Sequence, residues 1–285
     1  MFDSPLRYPG GKGRLAQYVI DLVEMNGLTG GHYAEAYAGG AGIAISLLYL
    51  EYVSHVHLND VDRAVFSFWR SVLDQPEDMA RLVRDTPLTL DERLRQKAVY
   101  RESATATTLE LGFATFYLNR TNRSGIIHGG VIGGNAQSGT YRIDARFNRV
   151  ELARRIEKVG SYAPRISLHN KDAVDFIAHD LPAIPGKALV YLDPPYYANG
   201  ARLYRNTYKH DDHAKIAALV GSIPHPWIVS YDNAEPIRDL YSGFRQQTFG
   251  LGYSANTIYE GTEVMVFSKA LKVPGEVEPC RGFAA

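Results

Sequence analysis

Apolar positions in this chain follow two rhythms. Short runs dense in apolar residues alternate with longer stretches where apolar residues recur every three or four positions. The first kind reads as buried strand and the second as amphipathic helix. "GHYAEAY" is a short strand that leads through the glycine-rich turn of "AGGAGIAISLLYL" into an apolar helix. "SHVHLND" is a second strand ending in an acid, and "DRAVFSFWRSVL" has helical spacing. Further on, the strand "RISLHN" precedes the helix "KDAVDFIAHDL", and the strand "KALVYL" stops at two prolines. The helix "DDHAKIAALVGSI" precedes the strand "PWIVSYD"; "EPIRDLYSG" is a short helix closed by glycine, and "EVMVFSK" is a last strand. Strands alternating with helices predict a doubly wound α/β sheet.

The middle breaks this rhythm. From about Glu77 to Arg155 the chain is first helical, in "LDERLRQKAVYRES" and "ELGFATFYLNRT", and then irregular, in "SGIIHGGVIGGNAQSGTYRIDARFN". Six glycines lie between Gly125 and Gly139. A long irregular stretch inside a compact protein is usually functional. The pattern predicts residues 77–155 as an inserted, largely helical subdomain containing a hairpin loop. Residues 1–76 and 156–272 then form the main domain, and 273–285 a loose tail.

Composition adds limits. The 285 residues are 45% hydrophobic and 22% charged, which is ordinary for a globular chain. No segment approaches the roughly 18 apolar residues of a membrane span, and "MFDSPLRYPGGKGRL" has no signal-peptide core. Cys280 is the only cysteine, so neither an internal disulfide nor a thiolate metal site is expected, and the expected setting is the cytoplasm. Formal net charge is zero, but it is uneven. Between Leu118 and Arg165 stand nine Arg and Lys residues against three Asp and Glu. Such a stripe suits a polyanion, and it equally suits a solvated helical face.

Two places carry candidate chemistry. Gly40-Ala41-Gly42 begins a G-x-G-x-x-G pattern, although the third glycine position holds Ile45. Asp60 ends the next strand about twenty residues on, where an acid can accept hydrogen bonds from a ribose. "PGGKGR" is no phosphate-binding P-loop, because Gly13 stands where Ser or Thr is needed and Leu6 where the first glycine is needed. An adenosine ligand without a phosphate cradle suggests S-adenosylmethionine. The second place is "ALVYLDPPYY". A strand ending in Asp193-Pro194-Pro195-Tyr196 sets these residues at the carboxyl edge of the sheet, where ligands of open α/β folds bind. An exocyclic amino group is a poor nucleophile because its lone pair is delocalised into the ring. A carboxylate and a backbone carbonyl accepting its N–H bonds free that pair, and prolines fix the turn without adding a competing N–H. The alternative is an ordinary turn with a capping acid and packing tyrosines.

Taken together these motifs resemble the Dam-type DNA adenine N6-methyltransferases along nearly the whole chain. "LRYPGGKGRL" resembles the methionine-site motif, "YAEAYAGGAGIAISLL" the glycine-rich motif, "LND" the ribose acid, "FYLNRTNRSGI" the start of the recognition region and "YLDPPYY" the catalytic motif. The resemblance implies a Rossmann-like doubly wound methyltransferase sheet carrying a target-recognition insert. It implies S-adenosylmethionine as cofactor, double-stranded DNA as partner, no metal, and a monomer or weak dimer. Tyr8, Lys12, Glu35, Gly39, Gly40, Gly42, Asp60, Asp172 and Asp193 are then expected at the cofactor, with Asp172 facing its adenine. Asp193, Pro194, Pro195 and Tyr196 are the expected catalytic set, Tyr196 stacking on a flipped-out base. Arg120, Asn122, Arg123, His128, Arg142 and Arg146 are the expected DNA contacts. Two departures stand out. The family's Glu-Pro-Phe reads Glu35-Ala36-Tyr37, and the recognition region does not support GATC as the target. Cytosine N4-methylation, a silent DNA-binding regulator on the same fold, and RNA or protein amide methylation stay open. Cytosine C5-methylation needs a thiolate nucleophile, and the only cysteine lies in the tail.

Overall fold

The computed structural model describes residues 4–7, 12–198, 208–255 and 257–275, without the side chains of Arg14 and residues 251–261. Seven strands form one sheet in the order β3-β2-β1-β4-β5-β7-β6. They are β1 (Gly31–Glu35), β2 (Val53–Asn59), β3 (Ile166–His169), β4 (Ala188–Leu192), β5 (Trp227–Asp232), β6 (Arg245–Ala255) and β7 (Thr257–Phe267). β1 pairs in parallel with β2 and β4, and β4 with β5, whereas β7 runs antiparallel to β5 and β6. The sheet is therefore α/β and doubly wound, as the alternating rhythm predicts.

Every residue of β4 is buried, so this strand carries a continuous apolar run rather than an alternating one. That is the pattern of an interior parallel strand covered on both faces. Successive strands step outward from β1 in opposite directions, so the strand order reverses between β1 and β4. The carboxyl ends of such a pair border the crevice where open α/β sheets take their ligands.

Around the strands lie α1 (Ala16–Met25), α2 (Gly42–Tyr49), α3 (Arg63–Asp74), α4 (Pro76–Asp85), α5 (Leu90–Arg101), α6 (Thr108–Thr121) and α7 (Arg149–Ser161). Next come α8 (Ala173–Asp175, continued by a π-helical turn at Phe176–Asp180), α9 (His210–Val220) and α10 (Glu235–Leu240). Two elements escape the hydrophobic reading. β6 begins "RQQTF" and lies at the sheet edge, where few apolar residues are needed. The segment "KDAVDFIAHDL" is helical only in short, changing turns.

The chain divides into two compact units. One comprises residues 1–2, 12–60 and 171–285; the other comprises residues 3–11 and 61–170. In the second unit α3 packs on α6, α4 on α7, and α5 on α6. Phe68 of α3 stacks on Phe116 of α6 at 5.8 Å. The helix starts are written locally. Asp62 caps α3, Asn148 caps α7, and Thr107 with Glu110 forms a capping box on α6. After α6 the chain turns back as a small hairpin, in which the Ile132 N–H donates to the Thr121 carbonyl and the Arg123 N–H to the Gly130 carbonyl. No helix among the described residues is long and apolar enough to cross a membrane.

Candidate active site

Each of strands β1 to β5 delivers an acid at or just past its carboxyl end: Glu35, Asp60, Asp172, Asp193 and Asp232. Glu35 and Asp60 shape the glycine-rich turn. Asp60 accepts the Gly39 N–H at 3.0 Å, and Glu35 accepts the Ala44 N–H at 3.2 Å in the first turn of α2. A carboxyl group at a helix N-terminus faces unsatisfied N–H donors and the positive end of the dipole. The turn is tight, with left-handed backbone at Gly39 (φ +44°) and Ala41 (φ +45°), so Gly39 has a conformational reason to be glycine. Burial pushes the Glu35 carboxyl up to about 8, against the lowering effect of the Ala44 N–H, and the Asp193 charge adds to the rise. Asn59, fully buried, braces the same edge. Its amide donates to the Ala36 and Lys171 carbonyls, and its oxygen accepts the Lys171 N–H. Asp172 caps α8 by accepting the Val174 N–H.

Asp193 follows β4 and is gripped on one oxygen only. Ser230 of β5 donates to Oδ1 at 2.6 Å, and the Lys12 ammonium lies 3.3 Å from the same atom. Oδ2 makes no hydrogen bond among the described residues. The Tyr191 and Ser230 hydroxyls are 2.7 Å apart, extending the chain of polar groups beneath Asp193. Burial raises the proton affinity of Asp193; Lys12 and Ser230 oppose the rise, and the negative charge of Glu263 adds to it. Lys12 stays charged well above its usual range. Burial works against that charge, and the Asp193 and Glu263 carboxylates outweigh it.

Beyond the prolines, Tyr196 is 5% exposed and its hydroxyl donates to Glu263 Oε1 at 2.6 Å. Lys12 Nζ donates to that hydroxyl at 3.1 Å and lies 5.1 Å from the ring centroid. Asp232 receives the next two backbone donors, the Tyr197 and Ala198 N–H groups, at 2.7 and 2.8 Å. The Asp-Pro-Pro-Tyr turn is thus fixed at its start by Ser230 and Lys12, and at its exit by Asp232. Tyr197 packs on His213, with centroids 5.2 Å apart.

The structure brings Lys12, Asp193, Pro194, Pro195 and Tyr196 together, and Glu35, Gly39, Gly40, Gly42 and Asp60 form the neighbouring turn. Tyr8 lies outside the described residues, as does Cys280. The sequence reading misses Ser230, Asp232, Glu263 and Asn59. A signal existed for two of them: "PWIVSYD" ends in an acid as "KALVYLD" does, and Glu263 is the charged first residue of the apolar run "EVMVFSK".

A family model of the D12 class N6 adenine-specific DNA methyltransferases matches residues 8–252. The chain belongs to this family. This D12 class chain is accordingly an adenine-specific methyltransferase enzyme. No curated protein sequence matches it significantly. Among solved structures, a candidate RNA methyltransferase of Pyrococcus horikoshii is 12% identical over 93% of this chain and 86% of its own, with a TM-score of 0.44. The rRNA methyltransferase aviRa of Streptomyces viridochromogenes is 13% identical over 92% and 86%, with a TM-score of 0.42.

The second unit of the methyltransferase holds the six expected DNA contacts, and it treats them unequally. Arg120 is buried; its Nε and Nη2 donate to the Pro5 carbonyl, and burial together with the Arg7 and Arg155 charges lowers its pKa to about 9. Asn122 is fully buried, accepts from Arg93 Nε at 2.7 Å and donates to the Ile126 and Ile127 carbonyls. These two are corrected from DNA contacts to internal braces, Arg120 holding Pro5 and Asn122 the hairpin, because both are buried with internal hydrogen-bond partners. Arg123, His128 and Arg142 are exposed, and Arg146 is half-buried over the Tyr141 ring at 5.8 Å. The basic stripe is also thinner than its count. Arg149 donates to the Val83, Arg84 and Thr86 carbonyls, and Arg154 and Arg155 both pair with Glu151.

Proposed function

We propose that this methyltransferase moves a methyl group from S-adenosylmethionine to the N6 amino group of an adenine turned out of duplex DNA. The observation that carries the reading is the asymmetry of Asp193. Ser230 and Lys12 hold Oδ1, which leaves Oδ2 to accept an N–H from the target amine. An oxygen fixed by its neighbour's bonds needs no reorganisation when charge develops on the nitrogen. Raised proton affinity also suits Asp193 to take the N6 proton once the nitrogen has been alkylated. The proton ends on the carboxylate, and Lys12 stabilises the carboxylate while it is still ionised.

The residues fit the cofactor. Five acids along one edge suit a cation and ribose hydroxyls better than phosphates. The tip of the Gly39–Gly42 turn carries no side chain larger than the Ala41 methyl, leaving room for an adenosine against the backbone. Asp60 would take the ribose and Asp172 the cofactor adenine. When bound, S-adenosylmethionine supplies an electrophilic methyl on a sulfonium. Pro194 and Pro195 hold the turn rigid, and Tyr196 would give the flipped base its stacking face. Arg123, His128, Arg142 and Arg146 of the second unit are the contacts to phosphate or base edge. The enzyme would act as a monomer or weak dimer in the cytoplasm.

The test is Asp193→Ala against the parent protein, with duplex DNA and a methyl-labelled cofactor, followed by nucleoside analysis. The parent is expected to yield N6-methyladenine and the variant none, both binding cofactor and melting cooperatively. A variant that still labels adenine removes Asp193 from the chemistry. Label recovered on cytosine N4 replaces the substrate.

A further inference from the structure

We infer that Glu263, outside every motif recognised in the sequence, is a positioning residue for methyl transfer, acting through Lys12 and Tyr196. The inference rests on the function proposed above. Glu263 sits within the inner antiparallel strand β7, opposite Asp232 in the β5–β7 register, and is 1% exposed. Among the described residues its two oxygens take different donors. Lys12 Nζ donates to Oε2 at 2.5 Å, and the Tyr196 hydroxyl donates to Oε1 at 2.6 Å. The Lys12–Tyr196 bond of 3.1 Å closes the triangle. A carboxylate that only balanced a buried lysine would have no need of the tyrosine. Here both partners belong to the reacting end: Lys12 touches Asp193 Oδ1, and Tyr196 ends the Asp-Pro-Pro-Tyr turn.

The distances show what Glu263 does. Lys12 lies 2.5 Å from Glu263 and 3.3 Å from Asp193, so the ammonium leans away from the catalytic carboxylate. Without the Glu263 charge, Asp193 is the only carboxylate within ion-pair reach of Lys12 among the described residues. A full pair there would compete with the target amine for the acceptor. Glu263 therefore keeps Lys12 near enough to assist Asp193 and too strongly engaged to capture it. By the same contact it anchors the Tyr196 hydroxyl, and with it the outer end of the ring. The negative charge on Glu263 also raises the proton affinity of Asp193.

The experiment compares Glu263→Gln and Glu263→Asp with the parent under single turnover, with cofactor affinity measured separately by titration. Glu263→Gln is expected to lose about 10- to 100-fold in methyl-transfer rate, the scale of a misplaced reacting group. Cofactor affinity should stay within about threefold, a smaller change than the rate loss this geometry implies. The acid limb of its rate–pH profile should move to lower pH, because removing the Glu263 charge eases ionisation of Asp193. Glu263→Asp keeps the charge and shortens the reach. It should retain the acid limb of the parent and lose rate, which keeps the test decisive if the Gln variant does not fold. Parental rate in either folded variant overturns the inference. So does a loss that falls wholly on cofactor affinity, or a Gln variant whose acid limb stays in place. A parent protein that labels no adenine removes the proposed function instead, and shows this before any variant is made.

Discussion

Replacing Glu35 by Gln should remove a pH dependence from the stability of the protein. The Glu35 carboxyl is 4% exposed, and burial lifts it to about 8 from an ordinary value of 4.5. Between those values the folded chain holds a proton that the unfolded chain has released. The folded state then binds more protons than the unfolded state, so stability falls as pH rises. The contribution is fully present below the unfolded value and is lost on approach to about 8. In that window one proton is worth about 1.4 kcal/mol per pH unit. From pH 6 to pH 8 the parent should lose about 2 kcal/mol that the variant does not. Gln keeps an oxygen for the Ala44 N–H and carries no titratable proton, so the turn itself is retained. The assay is denaturant or thermal unfolding of both proteins at half-unit steps from pH 5.5 to 8.5, taking the difference at each pH (about this range brackets the window). Taking the difference cancels the histidines, including His32 and His213, whose pKa values burial lowers and whose pH dependence runs the other way. A difference that stays constant across the range would falsify the assignment of Glu35 as a buried neutral acid.

Two further outcomes test the second unit. Gly112→Ala should destabilise by about 1–3 kcal/mol, measured by thermal unfolding. The reason is crowding between α3 and α6: a Cβ there would lie 2.6 Å from the Ser67 carbonyl oxygen and 2.7 Å from Ser71 Oγ. Parental stability in that variant would show that the helices do not meet so closely. Arg120 and Arg142 should separate in opposite senses. Arg142→Ala should reduce the salt slope of DNA binding by about 1 with the melting temperature unchanged. Arg120→Ala should cost about 1–3 kcal/mol of stability and leave that slope alone. The reverse pattern would return Arg120 to the DNA surface.

The sheet was legible because its rhythm is physical: buried parallel strands must be short and continuously apolar, and "KALVYL" and "PWIVSYD" satisfy that locally. β6 was not legible because an edge strand is stabilised by pairing with β7, and no period in "RQQTF" reports a partner elsewhere in the chain. Asp193 and Tyr196 stood out because two prolines directly after a buried strand are unusual, although a capped turn would also account for them. Ser230 and Glu263 were hidden for the opposite reason. A serine inside one strand and an acid inside another carry no sign of their partners until β5 and β7 are laid beside β4. Arg120 and Asn122 show a different failure. Motif position suggested a surface role, whereas residue type alone cannot say whether a guanidinium will find carbonyls to satisfy it in the interior, as Arg120 does at Pro5.

Charge balance at the buried end ties these observations together. Lys12, Asp193 and Glu263 contribute one cation and two carboxylates, all within hydrogen-bonding or ion-pair reach of Lys12. Burying a carboxylate without a full counter-charge is costly, and the cost appears here as the raised proton affinity of Asp193. Apolar residues would fill the same space more cheaply, so packing does not account for the cluster. Among the described residues the cluster holds one cation against two carboxylates, and a cationic ligand would even the balance. A sulfonium brings one such charge and no phosphate to offend the acids along the edge. A phosphate-bearing cofactor would add negative charge to a cluster where, among the described residues, carboxylates outnumber cations. The same deficit explains why "PGGKGR" can contain a glycine–lysine pair without being a phosphate cradle: its lysine is already committed to two carboxylates.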